Sequence, residues 1–319
     1  MRETIESVLK QSFQDFELIC INDGSTDRSL LILEEYASKD SRVIVYSKPN
    51  TGIPAITKNH GIDRSAGEYI FILDADDYLS PDVLQNMYYK SKEMDADVVL
   101  PDLVNISEEG EGLTVIGLKG NRNIVLTNRQ AVVQSLDWTI HSLGLWRGSL
   151  IRKLRFEEFG VNSDEYSYRV WFFNCRKIVF CEGSYFYRHN AQSITRKISV
   201  KLCDGPYNTY RLALFLEQNS FDDNIIFNTY SSAFKDCCFL ISIWKELAPV
   251  DRAVAERKLK AVYDLIDKDK VRKYLFRECG MKKYIWIIST VLNWSLLKNS
   301  FPIYFLLVGL LPNSRRTSN

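Results

Sequence analysis

Three aspartates follow directly after an apolar segment of the sequence. Residues 68–73 have the near-continuous apolar character of a buried strand, and residues 74–77 are Asp-Ala-Asp-Asp. Carboxylates crowded at the end of a strand repel one another, and a divalent cation with oxygen ligands relieves that repulsion. The pattern favours an Mg²⁺ or Mn²⁺ site that is shared with phosphate groups. The alternative is a solvated acidic turn before a helix that is capped by Ser80.

A second polar segment lies between an earlier apolar run and a helical pattern. Within residues 21–27, Gly24 permits a tight turn, and Asp27 or Ser25 can cap the helix. Asp23 is then left at the end of a strand, where its carboxylate can accept hydrogen bonds from a base or a ribose. A capped turn without a ligand has the same pattern, so this segment alone leaves both possibilities open.

A third segment supplies a cation. Residues 50–67 place Gly52 before a helix and Lys58 on that helix. The ammonium group of Lys58 could neutralise a diphosphate, whereas a single lysine on a helix is more often a solvated side chain.

Short apolar runs alternate with helical patterns over the first hundred residues, which is typical of a largely parallel sheet covered on both faces. Ligands bind at the carboxyl ends of the strands in such sheets. We expect residues 17–21, 43–46 and 69–73 to share one sheet. Strands are predicted at residues 17–21, 42–46, 68–73 and 97–100, and helices at 27–38, 53–66 and 81–94.

The pattern is mixed after residue 101 and purely helical beyond about residue 198. Short strands are predicted at residues 114–117, 123–126, 177–180 and 184–187, and a helix at 163–175. Further helices are predicted at residues 201–219, 224–247 and 251–268.

The composition argues against several classes of protein. The 319 residues include 41 basic and 40 acidic side chains, so no overall positive field favours binding to nucleic acid. Seven scattered cysteines without a CxxC pair indicate reduced thiols in a cytosolic setting. The GxGxxG motif of dinucleotide-binding oxidoreductases is absent. Phosphatases of the haloacid dehalogenase type have their Asp-x-Asp motif at the first strand, with Thr or Val where Tyr78 stands here.

The C-terminal stretch contains two apolar runs within residues 281–311. Both are shorter than the roughly 20 residues that a membrane-spanning helix needs. One interpretation is burial in the protein; the other is peripheral contact of residues 281–316 with a membrane interface. The second is favoured by the cations that bracket the runs, which are Lys282, Lys283, Arg315 and Arg316.

The order and spacing of these motifs resemble a known family. DGSTD at residues 23–27, NTG at 50–52 and NHGI at 59–62, followed by AGEYIFILDADD at 66–77, are similar to the donor half of family 2 glycosyltransferases with the GT-A fold. The resemblance implies that Asp23 contacts the nucleotide base, that Asp74 lies near the ribose, and that Asp76 coordinates the metal ion that holds the diphosphate. Lys58 stands where the family often has Arg, which keeps the charge but loses bidentate phosphate geometry.

A second block, at residues 162–171, is similar to the acceptor half of this family. Asp164 matches the general base, and Ser163 replaces the usual Glu. A single displacement needs a carboxylate that takes the proton of the acceptor hydroxyl as the anomeric carbon is attacked. Favourable interaction of Asp164 with the N-terminus of its helix is the alternative role.

The resemblance predicts an α/β fold with a GT-A-like (Rossmann-like), mainly parallel sheet and a helical C-terminal region. Residues 1–200 would form the catalytic domain, with its donor half in 1–100 and its acceptor half in 101–200, and residues 201–319 the helical region. The implied activity is inverting transfer of a hexose from a nucleotide-sugar, a UDP-sugar in the first instance, to a polysaccharide or lipid-linked glycan. The expected location is the cytoplasm or the cytosolic face of the membrane.

The sequence departs from the family at its beginning. Family members start with an apolar strand before a helix like residues 2–11, and Met1 falls inside the equivalent of that helix. Absence of a central strand would leave two strand edges unpaired. The alternative function is therefore a catalytically defective relic or a non-catalytic partner of an active enzyme.

Overall fold

The computed structural model describes most of the chain as two compact units, here called the first and the second unit. The first contains Met1–Glu158 and Ser167–Ala191, and the second contains Phe159–Tyr166 and Gln192–Asn319. Our predicted boundary near residue 200 stays a prediction. The described residues are 1–107, 111–117, 122–160, 162–189, 199–267, 269–270, 272–273, 293–295 and 297.

The first unit alternates strands and helices, as the apolar runs predict, and the second is helical. The strands are β1 Leu18–Asp23, β2 Val43–Lys48, β3 Tyr69–Phe71, β4 Tyr78–Leu79, β5 Val98–Ile106, β6 Gly112–Ile116, β7 Leu145–Arg147 and β8 Ile178–Arg188. The helices are α1 Arg2–Leu9, α2 Ser29–Lys39, α3 Pro54–Ile62, α4 Val83–Met94, α5 Asn128–Leu136, α6 Gly148–Leu154, α7 Ser163–Phe173, α8 Gly205–Gln218, α9 Asp223–Ile243 and α10 Pro249–Leu265. Short 3₁₀ helices occupy Val200–Asp204 and Trp244–Glu246.

The strands form two hydrogen-bonded sheets. β1 and β2 make a parallel pair, and the larger sheet has the order β3-β7-β5-β8-β4 with β6 beside β5. In the larger sheet only β5 and β8 are parallel, and the other pairs are antiparallel. The α/β class is confirmed.

The expectation that residues 17–21, 43–46 and 69–73 share one sheet was wrong. Among the described residues, β1 pairs only with β2, and β3 pairs only with β7, so the three segments lie in two different sheets. One edge of β1 and one edge of β3 therefore lack a strand partner within the described part of the chain.

Three local predictions also need correction. A single strand, β8, spans both predicted strands at 177–180 and 184–187. Residues 123–126 form no strand, and Leu126 makes only an isolated bridge to Ile178. Ser80 does not cap α4, because its hydroxyl accepts a hydrogen bond from the Ser184 amide at 2.8 Å and so joins β4 to β8.

Each unit has its own apolar core. In the first, the larger sheet packs against α4, with Val83, Met87 and Val99 fully buried. In the second, aromatic and aliphatic side chains of α8, α9 and α10 pack together, among them Phe234 and Tyr263. Across the described residues, no helix combines the length and the apolar character needed to span a bilayer.

A buried carboxylate holds together the ends of several elements of the first unit. Asp97, only 4% exposed, accepts hydrogen bonds from the Arg176 amide at 2.6 Å and from the Arg147 guanidinium at 2.8 Å. The Arg176 guanidinium adds a bond at 2.8 Å, and Asp95, at the surface, shares both arginines. Burial would raise the pKa of Asp97, but the hydrogen bonds from Arg176 and Arg147 lower it below its ordinary value.

We predict that Asp97→Asn lowers the free energy of unfolding by about 2–3 kcal/mol, because an amide leaves two arginines and a backbone N–H without their anionic partner. Asp95→Asn is the matched control and should cost less than about 1 kcal/mol, because that carboxylate is solvated. Urea unfolding followed by tryptophan fluorescence measures both. Equal losses for the two variants would contradict the role given to Asp97.

Candidate functional site

The turn after β1 is built to lie against the segment that follows β2. Gly24 adopts a φ of +64°, and a Cβ atom there would lie 2.6 Å from the backbone nitrogen of Asn50. The Asn22 side chain accepts a hydrogen bond from the Ser25 amide at 3.1 Å. Asp27 accepts one from the Ser29 amide at 2.9 Å, but the N-cap position of α2 is Arg28 and not the predicted Asp27 or Ser25. The DGSTD and NTG motifs are therefore in direct contact.

Asp23 lies at the end of β1, where the sequence predicts it. Its Oδ1 accepts hydrogen bonds from the ammonium group of Lys48 and from the Thr51 amide at 3.3 Å. Partial burial raises the pKa of Asp23. The contacts with Lys48 and Thr51 lower that pKa by more, so the net shift is downward.

Lys48 was missed by the sequence analysis. It is the residue opposite Asp23 in the parallel register of β1 and β2. Both predicted strands were expected to stop two residues earlier than they do, and aligning their ends is the signal that would have found Lys48.

Helix α3 interacts with Asp23, at the end of β1, and with Asp74, which follows β3. The buried side chain of Asn59 donates to the Phe156 carbonyl at 2.9 Å and accepts from the Phe156 amide at 2.8 Å, which fixes the helix in place. The neighbouring residue, Lys58, places its Nζ 3.7 Å from the Asp74 carboxylate and 5.6 Å from the centre of the Phe156 ring. Thr57, one residue earlier, contributes to lowering the pKa of Asp23.

The loop after β3 carries Asp74 and Asp76. The Asp77 amide donates to the Asp74 carbonyl at 3.1 Å, and the Thr4 hydroxyl donates to the Ala75 carbonyl at 2.9 Å. Burial raises the pKa of Asp76 and the Asp74 carboxylate raises it further, against a hydrogen bond from its own backbone amide and weaker attraction to the Met1 amino group and Arg188. The negative charge of Asp76 is therefore poorly compensated by the protein.

Asp77, the third carboxylate of the motif, has a different role. It is 1% exposed, accepts a hydrogen bond from the Tyr185 hydroxyl at 2.6 Å, and accepts another from the Arg188 amide at 2.8 Å. Burial raises its pKa to about 7, although these two bonds oppose the shift. The Tyr185 hydroxyl also accepts a hydrogen bond from the Asp74 amide at 3.3 Å, so Tyr185 and Asp77 together hold the loop after β3 in place.

The donor chemistry of Asp74 and Asp76 suits Mg²⁺ or Mn²⁺, which prefer oxygen ligands. Within the described part of the chain, no group of three or more His, Cys, Asp or Glu side chains is placed to hold a metal ion. Asp76 could therefore contribute only part of a coordination sphere, and a ligand that carries phosphate oxygens would have to complete it.

Asp164 lies in the first turn of α7, as predicted. Its Oδ1 accepts a hydrogen bond from the Glu165 amide at 3.0 Å, and the preceding Ser163 hydroxyl donates to the Gly160 carbonyl at 3.0 Å. These residues belong to the second unit, whereas Asp23, Lys58, Asp74 and Asp76 belong to the first. Lys58 lies beside Asp74, its neighbour Thr57 interacts with Asp23, and the roles of all five residues stay predictions.

Comparisons with known proteins agree with the arrangement of the motifs. Residues 1–144 match the family described as "Glycosyl transferase family 2". The chain is 34% identical over 209 residues to glycosyltransferase GlyG of Streptococcus pneumoniae, a match that covers 61% of this chain and 68% of GlyG. The chain therefore belongs to family 2 of the glycosyltransferases, and the protein is a glycosyltransferase.

Two further relatives come from Staphylococcus aureus. Poly(ribitol-phosphate) beta-N-acetylglucosaminyltransferase TarP is 29% identical over 181 residues, a match that spans 54% of this chain and about half, 53%, of TarP. The crystal structure of TarS 1–349 in complex with UDP-GlcNAc has a TM-score of 0.67 at 15% identity and covers 96% of this chain and 87% of that one. This likeness shows the fold alone, and it supports the GT-A-like architecture.

The raised pKa of Asp77 predicts a pH-dependent stability. A carboxyl group whose pKa is higher in the folded than in the unfolded state binds its proton more tightly when folded. Its contribution to stability is therefore greatest below about pH 4, the ordinary carboxyl pKa, and declines as the pH rises towards 7, by at most about 1.4 kcal/mol per pH unit.

We predict that Asp77→Asn removes this part of the decline, since an amide does not titrate. Unfolding free energies measured from pH 4 to pH 7 without divalent ions test it, with exposed Asp15→Asn as the control that keeps the wild-type slope. An unchanged slope in Asp77→Asn would show that Asp77 ionises normally.

Proposed function

We propose that the protein transfers a hexose from a nucleotide-sugar, in the first instance a UDP-sugar, with inversion at the anomeric carbon. The observation that carries the proposal is helix α3, whose Thr57 interacts with Asp23 at the end of β1 and whose Lys58 lies 3.7 Å from Asp74 after β3. Two of these carboxylates can accept from a nucleoside, and the other groups suit a diphosphate and its cation. The complex of TarS with UDP-GlcNAc supports the choice of nucleotide.

The proposed acceptor is a hydroxyl group of a polysaccharide or a lipid-linked glycan. TarP is named for transfer to poly(ribitol-phosphate), which supports a polymeric acceptor. Neither the sugar nor the linkage follows from this likeness.

In the proposed reaction, the acceptor oxygen bonds to the anomeric carbon as the bond from that carbon to the diphosphate oxygen breaks. Asp164 takes the proton of the attacking hydroxyl, so its carboxylate becomes neutral as the diphosphate leaves. Asp23 and Asp74 hold the nucleoside, and Lys58 faces the negative charge that develops on the diphosphate. Mn²⁺ or Mg²⁺, when bound by Asp76 and phosphate oxygens, would offset the same charge.

Two carboxamide variants should separate donor binding from chemistry. We predict that Asp76→Asn loses the Mn²⁺-dependent rise in melting temperature that UDP causes, together with transfer. Asp164→Asn should keep that rise and lose about 10²- to 10⁴-fold in kcat, since only proton removal is affected. Thermal shifts and the release of UDP from UDP-glucose or UDP-N-acetylglucosamine, with polyol-phosphate polymers or lipid-linked glycans as acceptors, measure the two effects.

Asp15→Asn, a change at an exposed carboxylate, controls for the loss of a negative charge and should behave as wild type. If no nucleoside diphosphate stabilises the wild-type chain in the presence of Mn²⁺, the proposed donor class is wrong. Full activity in Asp76→Asn would remove that residue from the metal site, and normal kcat in Asp164→Asn would remove that residue as the base.

We also propose that residues 281–316 hold the enzyme at the cytosolic face of a membrane. This stretch lies almost wholly outside the described residues, so its apolar runs and flanking cations support the proposal from sequence alone. An acceptor on a lipid carrier would be found at the same surface.

We predict that the full chain floats with anionic vesicles and that a chain ending at Gly280 does not. A second variant, with Lys282, Lys283, Arg315 and Arg316 changed to Gln, should lose affinity for anionic vesicles and retain its weaker affinity for neutral ones. Equal partitioning of the full and shortened chains would exclude this stretch as the anchor.

A further inference from the structure

Lys48 uses all of its hydrogen-bonding capacity on groups around Asp23. Its ammonium group bonds to Asp23 Oδ1, to the Pro49 carbonyl at 3.2 Å and to the Thr51 hydroxyl at 3.3 Å. An ammonium group has three N–H donors, and these three oxygens account for them. The side chain is 10% exposed, so it is held within the protein and does not extend into solvent.

These contacts fix the orientation of the Asp23 carboxylate. Lys48 and the Thr51 amide both bond to Oδ1, and the Asp23 side chain remains 25% exposed. Each carboxylate oxygen has about two lone-pair sites, so Oδ2 keeps acceptor capacity. A carboxylate held ionised in this way accepts hydrogen bonds and donates none.

An acceptor-only group at this place distinguishes between pyrimidine bases. The ring N3 of uracil carries a proton and donates, whereas N3 of cytosine has a lone pair and would face the lone pairs of the carboxylate. A site built to accept a hydrogen bond rejects an analogue that cannot donate it, because its polar group is then left unpaired.

We propose that Lys48 is a positioning residue that fixes the Asp23 carboxylate to accept from the imide N–H of uracil, and so sets a preference for uridine over cytidine nucleotides. This inference rests on the proposed function, because it concerns the base of the same nucleotide-sugar. Lys48 does not itself contact the nucleotide, since its three donors are occupied by protein oxygens.

Equilibrium binding of UDP and CDP to the full chain in the presence of Mn²⁺ tests the proposal. Wild type should prefer UDP by about tenfold or more, the value of one hydrogen bond to a charged group. Lys48→Met, which keeps the length of the side chain, should weaken UDP binding and leave CDP binding unchanged, so that the preference falls to within about threefold. Asp23→Asn should have the same effect.

The combined variant tests whether the two residues act together. Because Lys48 works through Asp23, adding Lys48→Met to Asp23→Asn should cause little further change in the preference. Lys39→Met is the matched control, since that lysine pairs with Glu35 on the surface of α2 and is 64% exposed. It should bind both nucleotides as wild type does. If Lys48→Met does not fold, Lys48→Gln takes its place, with the same direction of change expected.

The outcomes separate the inference from the function beneath it. Equal weakening of UDP and CDP in Lys48→Met would overturn the inference and indicate a general contact with the nucleotide. A lower melting temperature with an unchanged UDP/CDP ratio would overturn it in favour of a purely structural ion pair. Failure of the wild-type chain to bind either nucleotide would overturn both the inference and the proposed function.

Discussion

A carboxylate that is partly removed from water needs hydrogen bonds or an opposite charge, because the desolvation cost otherwise exceeds any gain from packing. The first unit contains several such groups at strand ends, and each is compensated differently. Asp23 has an ammonium group and a backbone amide, Asp77 has a phenol and a backbone amide, and Asp97 has two guanidinium groups. These pairings join β1 to β2, the start of β4 to β8, and the start of β5 to β7.

Asp76, next to Asp77, is exposed, and a hydrogen bond from its own backbone amide is the largest interaction that lowers its pKa. Burial and its neighbour Asp74 both raise its pKa, while the cationic groups that lower it act only at a distance. Asp77, next to it, is fixed to the Tyr185 hydroxyl and to the Arg188 amide, which holds the loop in place. An anchored neighbour keeps the Asp76 carboxylate in place and leaves it available to a cation.

Much of the site was predictable because its parts are local. Asp23 follows one apolar run, Asp74 and Asp76 follow another, and Gly24 and Gly52 mark the turns around Asp23. The anchor of the loop was not predictable, because Tyr185 lies 108 residues beyond Asp77 and meets it only through the pairing of β4 with β8. The same pairing is why the predicted helix cap at Ser80 was wrong, since this residue, although suited to capping a helix, instead joins two strands. Strand order failed for a similar reason, since apolar periodicity says which face a strand buries but not which neighbour it bonds to.

The two lysines of the site differ in a way that matches two demands of a nucleotide-sugar. Lys48 makes three hydrogen bonds to protein oxygens, so moving it would break all three. Lys58 lies 3.7 Å from the Asp74 carboxylate, an attraction between charges beyond hydrogen-bonding distance. Groups that do not move discriminate between bases, because a group that can shift could form a hydrogen bond with the wrong base as well. A diphosphate gains charge during the reaction, and a cation that can change partners is able to follow that charge. On the proposed function, Lys48 therefore serves selection of the base and Lys58 serves the leaving group.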